Sequence, residues 1–293
     1  MSRFPWPDGT RCACVLSFDV DAESAVLQVD TKYARHPSLM SHQAYGPRVG
    51  VPRLLQQLRL ADVRATFFVP GFTAERYPDM VRRIVADGHE VGWHGDLHES
   101  PNELDEQRQR EIVERSAEIL EPLIGARPTG YRAPWWQLSL ESPQLLSDAG
   151  FDYDSSLMED DIPYLLQTDN ATPLVELPVH WSLDDWEQYG FFIDPPLGDA
   201  IELPSKMLEL WCVELEAMHE EGCLEVITMH PFLSGRPARS RNIARFAEYA
   251  RDLGGVWFAT CAEVATHARA HLDPADARRL RSALDPQYGQ PDR

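Results

Sequence analysis

The run Cys12–Phe18, CACVLSF, is almost wholly apolar and then breaks into Asp19-Val20-Asp21-Ala22-Glu23. A strand that is apolar at successive positions is buried on both faces, the condition of a strand inside a parallel sheet. Acidic residues at the C-terminal end of such a strand stand where α/β folds place their chemistry. That one junction directs the reading of the rest of the chain.

Further strands are expected at Arg64–Pro70, His89–Trp93, Phe151–Ser156, Leu174–Val179 and Leu224–Met229, with a strand end passing into a loop over Thr129–Trp136. Between them, helical spacing is read at 49–60, 77–86, 102–124, 142–149 and 205–221, and a helix, a strand and a helix cover 242–271. The segments Ser24–Pro47 and Met158–Leu203 are polar or rich in Pro, Trp and Asp, and are expected as surface excursions that could mediate homo-oligomer contacts. Strands alternate with helices and no linker interrupts them, so residues 1–272 are expected to form a single α/β barrel-like domain followed by a polar tail over 273–293. In a parallel barrel all strand ends share one face, which would bring Asp19, His94, Arg132, Asp154 and His230 together.

With 27 basic against 47 acidic residues the net charge is −20, a field that repels nucleic acid and anionic membrane. Neither is expected as a partner. The opening MSRFPWPDGTR has no apolar core for a secretory signal and no later run is long enough for a bilayer span, so a cytoplasmic location is expected. Five cysteines cannot all pair, and Cys12 and Cys14 fall on one face of a strand, which favours buried thiols.

His94 and His98 stand four apart in a short Gly-punctuated segment, GHEVGWHGDLHESP, after a strand. Such a pair also arises by chance on a polar loop. Joined by one carboxylate from the first strand, however, it makes a three-ligand site with an open position, the arrangement of a catalytic rather than a structural zinc. A second carboxylate beside it could accept a proton from water, with an arginine keeping that carboxylate ionised and a further histidine protonating a leaving group. Trp135, Trp136, Trp181, Trp186 and Tyr189 are equally suited to line a pocket or to fill the core. His89, His180, His219, His267 and His271 carry no functional signal.

SFDVDAE (17–23), HGDLH (94–98), YRAPWW (131–136) and ITMHP (227–231) occur in the order of the motifs of the polysaccharide deacetylase superfamily, which they resemble. This is the NodB-homology group, or carbohydrate esterase family four, and the resemblance spans roughly Cys12 to Ala265. It implies a distorted (β/α) barrel of about seven parallel strands. It also implies Asp19 as catalytic base, Asp21, His94 and His98 as ligands of a divalent metal, His230 as general acid and Arg132 as the group orienting Asp19. Tyr131, Pro134 and Trp135 would line the substrate groove, the Trp135 N–H would serve the oxyanion, and Asp154 would tune a catalytic group. Zinc leads as the metal, with cobalt, nickel or manganese acceptable to the same donor set. Here Val20 separates two aspartates that are adjacent in the usual motif. YGPRVG (45–50) and YDSSL (153–157) resemble the branch of intracellular peptidoglycan deacetylase-like proteins, allantoinases and cyclic-imide hydrolases. The expected activity is hydrolysis of a non-peptide C–N bond, with an acetylated amino sugar or glycan as first candidate substrate and a small cyclic imide or ureide as second. An inactive glycan-binding module is the alternative from another class.

Overall fold

A computed structural model describes residues 4–288. Its strands are β1 (Cys12–Asp19), β2 (Thr66–Val69), β3 (Glu90–Trp93), β4 (Gly130–Tyr131), β5 (Tyr153–Asp154), β6 (Tyr164–Leu166), β7 (Leu174–Glu176), β8 (Leu224–Met229) and β9 (Val256–Phe258). They form one sheet with the order β6-β7-β5-β4-β3-β2-β1-β8. Every pairing is parallel except that of β6 with β7. β2 pairs with the upper half of β1 (Ser17–Asp19) and β9 with its lower half (Cys12–Cys14). The two sheet edges meet through single bonds, from the Leu224 N–H to the Asp161 carbonyl at 2.8 Å and from the Asp185 N–H to the Thr228 carbonyl at 3.0 Å. The result is the distorted α/β barrel expected from the sequence.

The alternation of β1 explains how the site is placed. Cys12, Cys14, Leu16 and Phe18 join one core cluster, with Leu54, Leu55 and Leu58 of the helix Val51–Ala61. Ala13 and Val15 join another, with Phe68, Tyr153 and Val226. Period-two alternation then puts Ser17 and Asp19 on the side of Ala13 and Val15, at the strand's C-terminal end. All of β1 is buried, as its continuous apolar run requires.

The structure departs from expectation in three places. The segment 24–47, expected to be irregular, contains the helices Ser24–Val29 and Pro37–Tyr45 with a 3-10 turn at Thr31–Arg35 between them. These pieces are short and Pro37–Tyr45 has little apolar face, so periodicity could not reveal them; Pro37 at the first turn is the surviving local cue. The antiparallel edge strand β6 is too short to signal itself. The tail expected from residue 273 is docked at its start: Arg278 exchanges backbone hydrogen bonds with Leu165 and Gln167 at 2.7 and 2.8 Å, extending the sheet edge beside β6. The remainder of that tail beyond residue 288 lies outside the described residues. Cys12, Cys14 and Cys261 are buried free thiols, whereas Cys212 and Cys223 are partly exposed. Among the described residues no helix is long and apolar enough to cross a membrane.

Candidate metal centre and catalytic pocket

Asp21, just beyond β1, meets His94 and His98, which follow β3. One ligand atom from each lies within 4.8 Å of the others. Nε2 of His94 is 3.4 Å and Nε2 of His98 is 3.5 Å from the Asp21 Oδ1. His94 Nδ1 donates to the Arg132 carbonyl at 2.7 Å, which fixes the ring and, in the neutral tautomer, turns the Nε2 lone pair toward Asp21. Both carboxylate oxygens of Asp21 are buried without a hydrogen-bond donor. Two such bare acceptors facing two imidazoles is a donor set that fits a divalent cation. Burial opposes ionisation of Asp21, but His98, His94 and His230 outweigh it and hold the carboxyl well below its usual range. Burial presses His98 down to about 4, so its ring is neutral near pH 7. In His94 burial is outweighed by Asp19 and Asp21, which lift it.

Asp19 stands beside this trio, its Oδ2 3.8 Å from His94 Nε2. Its Oδ1 accepts from Arg132 Nη1 at 2.9 Å. Arg132 is fully buried over the Phe68 ring, its carbon 4.3 Å from the centroid. Three of its other four N–H groups are engaged as well: Nη1 also reaches Ser17 Oγ at 2.8 Å, Nε the Ser155 carbonyl at 2.9 Å and Nη2 the Ser155 Oγ at 2.9 Å. A guanidinium held at four points presents one fixed edge to Asp19.

His230 arrives from the end of β8, its Nε2 3.7 Å from the Asp21 Oδ2. Its Nδ1 donates to the Asp185 Oδ1 at 2.8 Å, and the same oxygen accepts the His230 backbone N–H at 2.9 Å. Asp184 lies 3.4 Å from that Nδ1. Burial works against the imidazolium, but Asp184 and Asp185 outweigh it and raise His230 to about 10. Asp184 is itself raised to about 7 by burial, despite the pull of His230.

These groups floor a cavity of about 350 Å³, to which Asp19, Asp21, His94, His98 and His230 all contribute. Its walls include Trp135, Trp136, Trp181 and Trp186, with Gln137, Asp184, Glu187 and Leu197 beside them. Trp135 packs edge-on to His98 at 4.7 Å between ring centroids, and Trp186 edge-on to His230 at 5.0 Å. Ala22, His98, Trp135 and Trp136 all take positive φ, between 51° and 66°. Four non-glycine residues in that disfavoured region, at or beside one cavity, mark a backbone shaped for the site rather than for local comfort.

The sequence reading thus brings Asp19, Asp21, His94, His98, Arg132, Trp135 and His230 together, and of the five aromatics it weighed only Tyr189 is off the cavity wall. Two expected groove residues, Tyr131 and Pro134, are elsewhere, and Asp154, expected to tune a catalytic group, is off the cavity wall. The Tyr131 side chain is buried against Trp93 and Phe151, because β4 alternation points it away from Arg132. Pro134 sits behind the loop against Gly95. Asp154, fully buried, accepts from Ser156 Oγ at 2.8 Å and is not on the cavity wall. The reading missed Asp184 and Asp185, which sit in a stretch without helical or strand period. Their only sequence signal is a paired acid next to tryptophan, and the bridge from Asp184 to Thr228 that carries them to the mouth of β8 is a tertiary event.

A family model described as polysaccharide deacetylase matches residues 35–153, which takes in the histidine pair and Arg132 but not β1. The chain is 31% identical over 254 residues to a peptidoglycan deacetylase of Helicobacter pylori, covering 78% of this chain and 87% of that protein. It superposes on the crystal structure of a Mycobacterium smegmatis protein described as a polysaccharide deacetylase with a TM-score of 0.91 at 47% identity, over 97% of this chain and 99% of the other. The Puue allantoinase structure matches with a TM-score of 0.80 at 26% identity, over 92% and 94% of the two chains.

Proposed function

The chain belongs to the polysaccharide deacetylase family, and from that premise we propose that it is a divalent-metal-dependent N-deacetylase acting on an acetylated amino sugar or glycan. The observation that carries the reading is the convergence, in one cavity, of an Asp21–His94–His98 donor set with an arginine-held carboxylate and a carboxylate-held histidine. A cation held by Asp21, His94 and His98, zinc first and cobalt, nickel or manganese next, supplies Lewis acidity that favours ionisation of water and polarises an amide carbonyl.

The protein's own groups do the rest. Asp19 takes the proton from the attacking water on Oδ2, because Arg132 occupies Oδ1. In the turn after Ala133, the Trp136 and Gln137 N–H groups are already bonded to the Ala133 and Pro134 carbonyls. The Trp135 N–H is therefore this turn's donor for the developing oxyanion. His230 is protonated at neutral pH, and Asp185 pins its Nδ1–H so that Nε2–H faces the cavity and can be delivered to the leaving nitrogen. Trp186, packed edge-on to His230, covers one side of that imidazole.

A second reading, a small cyclic imide or ureide as substrate, is favoured by one feature: a compact cavity between flat aromatic walls, which suits a planar ring. Its fit is supported by the likeness to the allantoinase fold. Metal-loaded protein should be assayed against N-acetylglucosamine oligomers and against succinimide and hydantoin. Release of acetate from the oligomers is the expected result. Turnover of the ring compounds alone would replace the deacetylase reading with the second one, and metal binding without any turnover would make the protein a binding module.

A further inference from the structure

Asp154 and Glu176 are direct register partners on the parallel strands β5 and β7 and project from the same face of the sheet. Both are fully buried, side by side on adjacent strands. One oxygen of each is already engaged. Asp154 Oδ1 accepts from Ser156 Oγ at 2.8 Å, and Glu176 Oε1 accepts the N–H groups of Ser156 and Leu157 at 3.0 and 2.9 Å. The other two, Asp154 Oδ2 and Glu176 Oε2, are buried with no donor. Two bare acceptors on paired buried carboxyls are what one shared proton would satisfy, and two ionised carboxylates side by side in the interior would repel strongly. Burial raises both groups, and the Asp154 charge holds Glu176 well above the carboxylate range. Arg132 is an opposing charge that lowers Asp154, and Tyr131 and Tyr164 are titratable neighbours of the pair.

What this pair holds is the frame of Arg132. Ser156 Oγ, donating to Asp154, accepts the Ala133 N–H at 2.8 Å. Ser155 binds the guanidinium through both its carbonyl and its hydroxyl, and that hydroxyl donates in turn to the Leu177 carbonyl at 2.9 Å, next to Glu176. We propose that Asp154 and Glu176 share one buried proton, and that this acid pair is the positioning device that fixes residues 155–156 and thereby aims Arg132 at Asp19. The second half rests on the reading of Asp19 as base; the first does not.

Isosteric amides test the shared proton. Glu176→Gln can still accept both N–H groups on Oε1 and offers an N–H to Asp154; Asp154→Asn can still accept from Ser156 and offers an N–H to Glu176. In the double variant two amide NH2 groups face each other; flipping the amide at 176 sets its NH2 against two backbone N–H donors, and flipping the amide at 154 takes away the acceptor of the Ser156 hydroxyl. Infrared difference spectra of the intact wild-type protein near pH 7 should show the carbonyl stretch of a protonated, deuterium-sensitive carboxylic acid that is absent from Glu176→Gln. Each single amide should keep kcat within a few-fold on the amide the wild type hydrolyses, while the double variant and Glu176→Ala lose tenfold or more in kcat with KM and metal content little changed. The absence of the acid band in the wild type overturns the shared proton. A double amide no worse than the product of the singles, or a Glu176→Ala enzyme with unchanged kcat, overturns the positioning role. Should the wild type hydrolyse nothing, the infrared comparison and a crystal structure of Glu176→Ala, expected to show Arg132 displaced from Asp19, decide both halves without turnover.

Discussion

Replacing Asp185 by asparagine separates charge from geometry at His230. Asp185 Oδ1 accepts both the ring Nδ1–H and the backbone N–H of His230, at 2.8 and 2.9 Å, and an asparagine carbonyl can accept the same two bonds. Its other oxygen accepts from the Ser234 hydroxyl, which can rotate to accept from an amide instead. The ring therefore keeps its orientation and loses one of the carboxylates that, against burial, lift it from 6.5 to about 10. With Asp184 and Asp185 sharing that lift, removal of one should lower His230 by roughly one to two pH units, ~1.4–2.7 kcal/mol between the two protonation states. The sign follows from the raised pKa. The imidazolium's contribution to stability is complete below 6.5 and is lost as pH climbs through about 10. The loss in Asp185→Asn comes at lower pH. Profiles of kcat/KM against pH for metal-loaded wild type and variant are the assay, and the alkaline limb should move down by that amount while the rate on the acid side changes little. Coincident alkaline limbs would refute the assignment of His230 as an acid tuned by Asp185.

Three further substitutions probe the other parts of the site. His94→Ala should abolish both metal retention and hydrolysis, checked by metal analysis after desalting and by rate, because it removes one of the three residues proposed to hold the cation. His230→Ala should retain metal yet lose roughly two to four orders of magnitude in rate, the contribution of a positioned general acid. Arg132→Ala leaves Asp19 buried without its partner, and thermal or denaturant unfolding should register a loss of about 3–5 kcal/mol together with loss of activity.

Much of the site was legible because strand ends are legible. β1 reads as buried at every position, so the acids that follow it had to lie where the sheet's C-terminal strand ends open, and the same logic carried His94, Arg132 and His230. What strand ends cannot reveal is which way a side chain turns in a two-residue strand. Tyr131 and Arg132 are neighbours in sequence, yet alternation sends one into the aromatic packing with Trp93 and the other to Asp19. Asp154 was expected near the chemistry and instead faces Glu176, a residue with no local signal because its partner lies on another strand. Asp185 was invisible for a related reason: the segment that carries it has no period of its own and gains its place only by bridging to β8. The short helices of 24–47 escaped notice because nothing in their spacing distinguishes them from loop.

The most direct test of the account is an anomalous diffraction map of crystals grown from protein expressed with zinc and collected at the zinc edge. One strong peak is expected, bonded to Asp21, His94 and His98 and lost on chelation together with hydrolytic activity. A peak instead at Asp184, Asp185 and His230, the other buried acid–histidine group among the described residues, or full activity in metal-stripped protein, would contradict it.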